Sequence, residues 1–160
     1  QSMMVPIKIY DTSMCQNGAD LDFITMTCRL HAMEKKVSVI VVDYLGLVDK
    51  DSTNEEVQRL GKTMLNFKSL ANMLNCSVLI PHQLNRKIEH RSKDQKDPLL
   101  SDLRGSGNIE EHAAAVLFLT RETIGDRASS VRLRLAKNRY GETGIIDLTF
   151  DTLTTKFKNN

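Results

Sequence analysis

The stretch Ser38-Val-Ile-Val-Val-Asp43-Tyr-Leu-Gly-Leu-Val48 constrains this chain more than any other. Continuous β-branched residues without a polar alternation describe a strand covered on both faces, as in a parallel sheet held between helices. Ligands of such sheets gather outside the carboxyl ends of the strands. A carboxylate delivered there, Asp43, can hold the water shell of Mg²⁺ beside nucleotide phosphates. The same residue type also ends strands merely to cap the next turn, so Asp43 needs support from the rest of the chain.

The chain has 160 residues, of which 41% are hydrophobic, enough for one domain with a real core. No apolar run is long enough to span a bilayer, and Gln1-Ser-Met-Met lacks the basic and apolar regions of a signal peptide. A cytoplasmic location is expected. Cys15, Cys28 and Cys76 are widely spaced and fit neither a metal site nor a disulfide framework, so they are expected to be reduced. With a net charge of only +2, composition does not announce a nucleic-acid binder, and the placement of charge has to carry any such reading.

Pro6-Ile-Lys-Ile-Tyr10 is expected to be a short strand. Asp20 is positioned to cap a helix over Leu21 to Lys36, with His31 inside it as a core or boundary residue. After Asp43, the apolar residues Val57, Leu60, Met64, Phe67, Ala71 and Leu74 step by three and four and predict a long helix. Ser52 with Glu55 or Thr53 with Glu56 would box its start, and Asn75 would stop it. Cys76-Ser-Val-Leu-Ile80 gives the next strand, and the alternation of strands with helices implies right-handed crossovers in a mainly parallel sheet. The expected fold class is α/β.

From Pro81 to Leu100 the apolar pattern stops. Arg86, Lys87, Arg91, Lys93 and Lys96 face only Glu89, Asp94 and Asp97, as in a solvated basic loop. In Ser101-Asp-Leu-Arg-Gly-Ser-Gly-Asn108, Gly105 and Gly107 precede a short helix, and Arg104 adds a bidentate phosphate ligand. That chemistry suits a nucleic-acid backbone better than a base edge. Ala115 to Leu119 is another continuous apolar strand. Val131-Arg-Leu-Arg-Leu135 alternates and is expected to pair with Gly144 to Phe150 as a terminal hairpin turning near Tyr140-Gly141. Six basic and two acidic residues between Arg121 and Arg139 give this end a positive rim.

Four of these segments, Val39 to Leu45, Gln83-Leu-Asn-Arg86, Ser101 to Glu110 and Ala136-Lys-Asn-Arg-Tyr-Gly-Glu-Thr-Gly144, resemble in order and spacing the DnaB-like replicative helicases and related phage helicase-primases. The resemblance covers nearly the whole chain. It implies a RecA-like P-loop NTPase core, with residues 1–160 as a single partial ATPase domain, in a hexameric ring that encircles single-stranded DNA. Position by position, Asp43 resembles the Walker B acid for Mg²⁺, and Gln83 the γ-phosphate sensor. His82 departs from the small residue of bacterial members, and since some phage relatives carry a histidine as the sensor, both side chains are candidates. Lys137 and Arg139 resemble the basic pair that reaches into the neighbouring subunit's ATP site, Arg139 as the finger. Arg104, Gly105 and Gly107 match the DNA-gripping loop, where many bacterial members have Glu in place of Gly105; Arg86 and Lys87 would supplement that grip. Arg121 and Phe150 match positions that contact the nucleotide base.

The sequence also departs from the family. No Gly-x-x-x-x-Gly-Lys-Ser/Thr is present, and Gly105-Ser-Gly107 cannot replace it because no Lys-Ser or Lys-Thr follows. The P-loop strand is therefore expected to lie upstream of this chain, which should not hydrolyse ATP or another NTP alone. Two other readings remain open at this point: a single-stranded DNA or partner-binding module without turnover, and a RecA-like recombination ATPase. The resemblance implies self-association, primase and a helicase loader as partners, and no membrane.

Overall fold

The computed structural model describes residues 6–11, 20–48, 56–85, 88, 90–91, 97–103, 106–123 and 128–159. These residues form two compact units, 1–82 and 83–160. The capping residues expected at Ser52, Thr53 and Glu55 lie outside the described residues.

In the first unit, helix α1 (Leu21–Glu34) starts where expected, with the Asp20 carboxylate accepting the Asp22 amide at 2.8 Å. The extended Lys35 ends it, donating its N–H to His31 O at 2.9 Å. Helix α2 (Glu56–Leu74) carries most of the core, burying Leu60, Met64, Phe67 and Leu70. The stripe differs at its edges from the sequence expectation: Val57 is exposed, and Leu70 is buried while Ala71 is only half-buried. A period of 3.6 drifts across the three-and-four spacing, so either of two adjacent residues can face inward on the fifth turn. Asn75 ends α2 with φ of 49°, a left-handed conformation that Asn tolerates better than most residues.

Strands β1 (Val39–Val41) and β2 (Ser77–Leu79) pair in parallel, in the register Val39 to Ser77, Ile40 to Val78 and Val41 to Leu79. The expectation that both faces of this strand are covered is not met among the described residues. Burial alternates, with Ile40 and Val42 inside and Val39 and Val41 open, since α2 packs on one side only. A 3-10 turn (Leu45–Leu47) follows, anchored by the fully buried Leu45 and Val48. A Cβ at Gly46 would meet the partly exposed Tyr44 ring at 2.6 Å, so a larger residue there has to displace that ring. The buried Arg59 ties α2 to this turn by donating Nη1 to Val48 O at 2.5 Å. Residues 6–10 join no sheet; instead Lys8 and Tyr10 hydrogen-bond the two ring nitrogens of His31 on α1. The apolar residues Ile7 and Ile9 are too few to pay for burying an isolated strand, and both stay exposed.

The second unit is an antiparallel meander of β3 (Ala115–Thr123), β4 (Ala128–Asn138), β5 (Gly144–Asp151) and β6 (Lys156–Asn159), preceded by a 3-10 turn (Leu100–Asp102) and helix α3 (Ser106–His112). The expected hairpin is present, with Val131 opposite Leu148 and Leu135 opposite Gly144. The strand expected at Ala115 to Leu119 runs on to Thr123 and pairs antiparallel with β4, through a bulge at Val116 and Leu117. Val116, Phe118 and Val131 are buried with Leu103 and Ile109 of the preceding segments. Strand β6 has no counterpart in the sequence reading. It follows a turn in which the Asp151 carboxylate accepts the amides of Leu153 at 3.0 Å and Thr154 at 3.2 Å. The α/β class with parallel pairing followed by antiparallel C-terminal strands agrees with the sequence reading.

Phe67 is 1% exposed at the centre of the α2 stripe, so Phe67→Ala leaves a cavity that backbone relaxation fills only in part. The expected cost is about 3–5 kcal/mol, read as a lower urea midpoint with an unchanged slope.

Candidate functional site

The parallel pair sets the first part of the site. Val42 N donates to Leu79 O at 3.0 Å and extends the ladder by one bond, so the chain leaves β1 at Asp43, which is exposed and joined to Tyr44 by a cis peptide bond. Beyond β2 the chain continues through Ile80 and Pro81 to the half-buried His82. Asp43 and His82 thus both follow the carboxyl ends of adjacent parallel strands, the edge at which such sheets hold ligands. Among the described residues no group of three or more His, Cys, Asp or Glu is placed to hold a metal ion. A single exposed carboxylate still fits Mg²⁺, which keeps several waters and takes one or two protein carboxylates together with substrate phosphates.

Gln83 opens the second unit and is exposed. Its neighbour Leu84 forms an antiparallel bridge with Leu103, and Asn85 N donates to Asp102 O at 2.7 Å. The segment after Gln83 is therefore stitched to the two residues before Arg104. Asp102 holds this junction. It is buried, accepts the Leu99 amide at 2.7 Å, and takes a two-pronged contact from Arg91, whose Nη1 lies 2.8 Å from Oδ2 and whose Nη2 reaches Oδ1. Burial pushes the Asp102 carboxyl upward, but the Arg91 hydrogen bond, the Leu99 amide and the guanidinium charge outweigh it and hold the group below the usual carboxylate range.

Arg86, Lys87, Arg104 and Gly105 lie outside the described residues. Gly107 sits exposed in the first turn of α3, where a Cβ would meet nothing within 4 Å. At the other end of this helix the two predicted cations come together. Lys137 Nζ donates to Glu110 O and Arg139 Nη2 to Glu111 O, while Arg139 N bonds Ala114 O at 2.9 Å. The cause is general: the last carbonyls of a helix lack intrahelical partners, and cations favour that end. Lys137 lies in the last residues of β4 and Arg139 one residue beyond the strand, and both side chains reach the C-terminal carbonyls of α3. Tyr140 follows at 89% exposure, in a turn where Asn138 Nδ2 donates to Glu142 O at 3.1 Å.

Arg121 and Phe150 are also brought together. The guanidinium lies 4.6 Å from the Phe150 centroid, and Nε donates to the fully buried Ser129 Oγ at 2.9 Å. Of the predicted residues, Asp43 and His82 belong to the first unit, while Gln83, Gly107, Arg121, Lys137, Arg139 and Phe150 belong to the second. Sequence reasoning missed Asp102 and treated Arg91 as one basic loop residue among five. Only the pairing of an acid in the motif with a cation eleven positions earlier could have pointed to them.

The sequence from 2 to 159 matches the family model described as DnaB-like helicase C terminal domain. The replicative DNA helicase DnaB of Mycoplasma pneumoniae is 37% identical over 170 aligned positions, covering 96% of this chain and 34% of that protein. The probable plasmid replicative DNA helicase of Chlamydia trachomatis is 34% identical over 137, covering 86% of this chain and 29% of its own length. This chain spans about a third of the length of these relatives. Among solved structures, a DnaB-like replicative helicase described with its interactions with primase superposes with a TM-score of 0.78 at 27% identity, over 88% of this chain and 35% of that one. A structure described as an ATPase domain gives the same TM-score of 0.78 and identity of 27%, over 88% of this chain and 51% of its own.

Because the Asp102 carboxyl is lowered in the folded protein, its stabilisation is complete above the ordinary carboxylate pKa and disappears as pH falls through the folded value. Asp102→Asn should therefore cost roughly 2–4 kcal/mol at neutral pH, with the urea midpoints of variant and parent converging in acid.

Proposed function

This chain belongs to the family of DnaB-like helicase C-terminal domains, and we propose that it is part of a replicative ring helicase that couples ATP hydrolysis to translocation on single-stranded DNA. The reading takes residues 1–160 as one partial RecA-like ATPase domain, cytoplasmic, working in a hexamer. What carries it is the common edge of β1 and β2, from which Asp43 and His82 emerge, with Gln83 next to His82 in sequence.

Each residue then has a physical task. Asp43 offers the carboxylate for Mg²⁺, whose charge offsets that of the phosphate oxygens when the nucleotide, ATP or another NTP, is bound. Gln83 or His82 donates a hydrogen bond to a phosphate oxygen and loses it after hydrolysis. Through the Leu84–Leu103 bridge such a change is passed to Arg104 and the loop assigned to the DNA backbone. Arg104, Gly105 and Gly107 form that grip, with Arg86 and Lys87 beside them. Arg139, seconded by Lys137, enters the ATP site of the neighbouring subunit, where an always-charged guanidinium meets developing phosphate charge. Arg121 and Phe150 contact the base. Primase and a loader are the further partners assigned to the whole protein.

The sequence carries no P-loop, so the test supplies one. In a protein that joins this chain to an upstream P-loop segment, DNA-stimulated ATPase should fall at least a hundredfold on Arg139→Ala while nucleotide affinity stays within a few-fold. Mixing Arg139→Ala with Asp43→Asn subunits should restore part of the turnover, because each supplies what the other lacks at a shared interface. Unchanged turnover in Arg139→Ala removes the finger assignment. If DNA is bound without any turnover, the chain is a binding module instead.

For the grip, Arg104→Ala should weaken binding to single strands of every sequence alike and reduce the salt slope by about one. Equal affinity and equal slope in parent and variant would make Arg104 structural.

A further inference from the structure

Three separated segments of the second unit meet at Asp102. Its peptide oxygen accepts Asn85 N at 2.7 Å, and the next residue, Leu103, bridges Leu84. Its carboxylate takes the Leu99 amide on Oδ2 at 2.7 Å and both terminal nitrogens of Arg91, Nη1 on Oδ2 at 2.8 Å and Nη2 on Oδ1. Between the Asn85 and Arg91 anchors the chain turns twice, with Ile88 N donating to Asn85 O and Arg91 N to Ile88 O, each at 3.2 Å. The hydrogen bonds therefore run from Asp102 through Asn85, Ile88 and Arg91 and return to Asp102. In a closed circuit of this kind, breaking one link weakens the rest.

The residues proposed for phosphate sensing and for the DNA grip adjoin this circuit in sequence. Arg86 and Lys87 fall between its Asn85 and Ile88 links, Arg104 follows Leu103, and Gln83 precedes Leu84. Arg91 belongs to the same basic stretch, but its guanidinium is committed to a carboxylate on a residue only 3% exposed. Leaving Asp102 for a DNA phosphate would strand that buried charge. A guanidinium fork also fixes direction, which an ammonium on a flexible stem does not.

We propose that Arg91 and Asp102 are positioning residues for the helicase reaction, holding the phosphate-sensing segment and the DNA turn in one frame so that strand binding and nucleotide turnover change together. Arg91 is then no phosphate ligand. The proposal rests on the helicase reading and adds the pair through which its two sites are coupled.

In the protein joined to an upstream P-loop segment, Arg91→Lys keeps the charge and loses the fork. The ratio of ATP turnover with single-stranded DNA to turnover without it should fall about tenfold. Loss of folded protein lowers both turnovers and leaves the ratio alone, so a merely structural role does not move it. In Arg91→Ala the salt slope of strand binding should stay that of the parent, whereas removing a true phosphate ligand lowers it by about one. Hydrogen exchange in the parent needs no substitution: the Asn85 and Leu99 amides both end on Asp102, so they should share one protection factor, and a thymidine oligonucleotide should raise it for both. An unchanged ratio in Arg91→Lys, a slope lowered by about one in Arg91→Ala, or separate protection of the two amides overturns the proposal. Should either variant fail to fold, the exchange measurement decides alone. A joined parent protein whose turnover no strand stimulates removes the helicase reading itself, whereas a stimulated parent with equally stimulated Arg91→Lys removes only the positioning pair.

Discussion

Three residues of parallel ladder, Val39–Val41 against Ser77–Leu79, decide where the chemistry-bearing residues of the first unit can be. Parallel pairing aligns the carboxyl ends of both strands, so whatever follows them emerges at one edge. An isolated two-stranded pair is only marginally stable, and here α2 supports it through Leu60, Phe67 and Leu70, each no more than 2% exposed. Arg59, bonded to Val48 O, fixes the turn that follows Asp43 to the same helix. The position of an exposed carboxylate thus depends on a buried apolar stripe.

The second unit solves a different problem, that of holding loops. Its sheet supplies a rigid meander, while the segments proposed to meet phosphate and DNA are attached at a few points. The Leu84–Leu103 bridge and the Arg91–Asp102 pair fasten one side. Helix α3 fastens the other, with Gly107 in its first turn and the Lys137 and Arg139 contacts on its last carbonyls. A helix of one and a half to two turns cannot be stable through its own hydrogen bonds. Buried Ile109 and the two cations at its end stabilise it, so a change at one end has few internal contacts to absorb it.

Local signals were legible and distant ones were not. The α2 stripe, the Asp20 cap, the Asn75 stop and the Val131–Leu148 hairpin each depend on spacings of a few residues, which the sequence displays directly. Pro6 to Tyr10 has the composition of a strand, yet it is held by His31, more than twenty residues away, and forms none. Strand β6 is short and half lysine, and the Phe157–Phe150 contact and the Lys158–Asp151 ion pair hold it in place. Asp102 shows the limit most clearly: its cap of the Leu99 amide is local, but its Arg91 partner lies eleven residues back and no spacing rule points to it. The assignment of Asp43, Gln83 and Arg139 came from resemblance rather than from spacing, which could offer only a strand end, a loop and a turn.

The partners of the cations separate fixed groups from exchangeable ones. Arg91 is bound to a buried carboxylate, and leaving it would strand a charge in the interior, at a cost of several kcal/mol by the usual rule for broken buried pairs. Lys137 and Arg139 rest instead on neutral carbonyls, so letting go leaves no unpaired charge in the interior. Arg59 also donates to a carbonyl, but it is buried and has nowhere else to go. Arg139 is exposed. For an exposed guanidinium on a neutral acceptor, exchange to a phosphate is favoured, and the helix that loses it keeps only Ile109 and its remaining contacts. On the proposed function, Arg139 leaves its carbonyl for a phosphate and so loosens the C-terminal turn of α3, the helix in whose first turn Gly107, proposed for the DNA grip, lies.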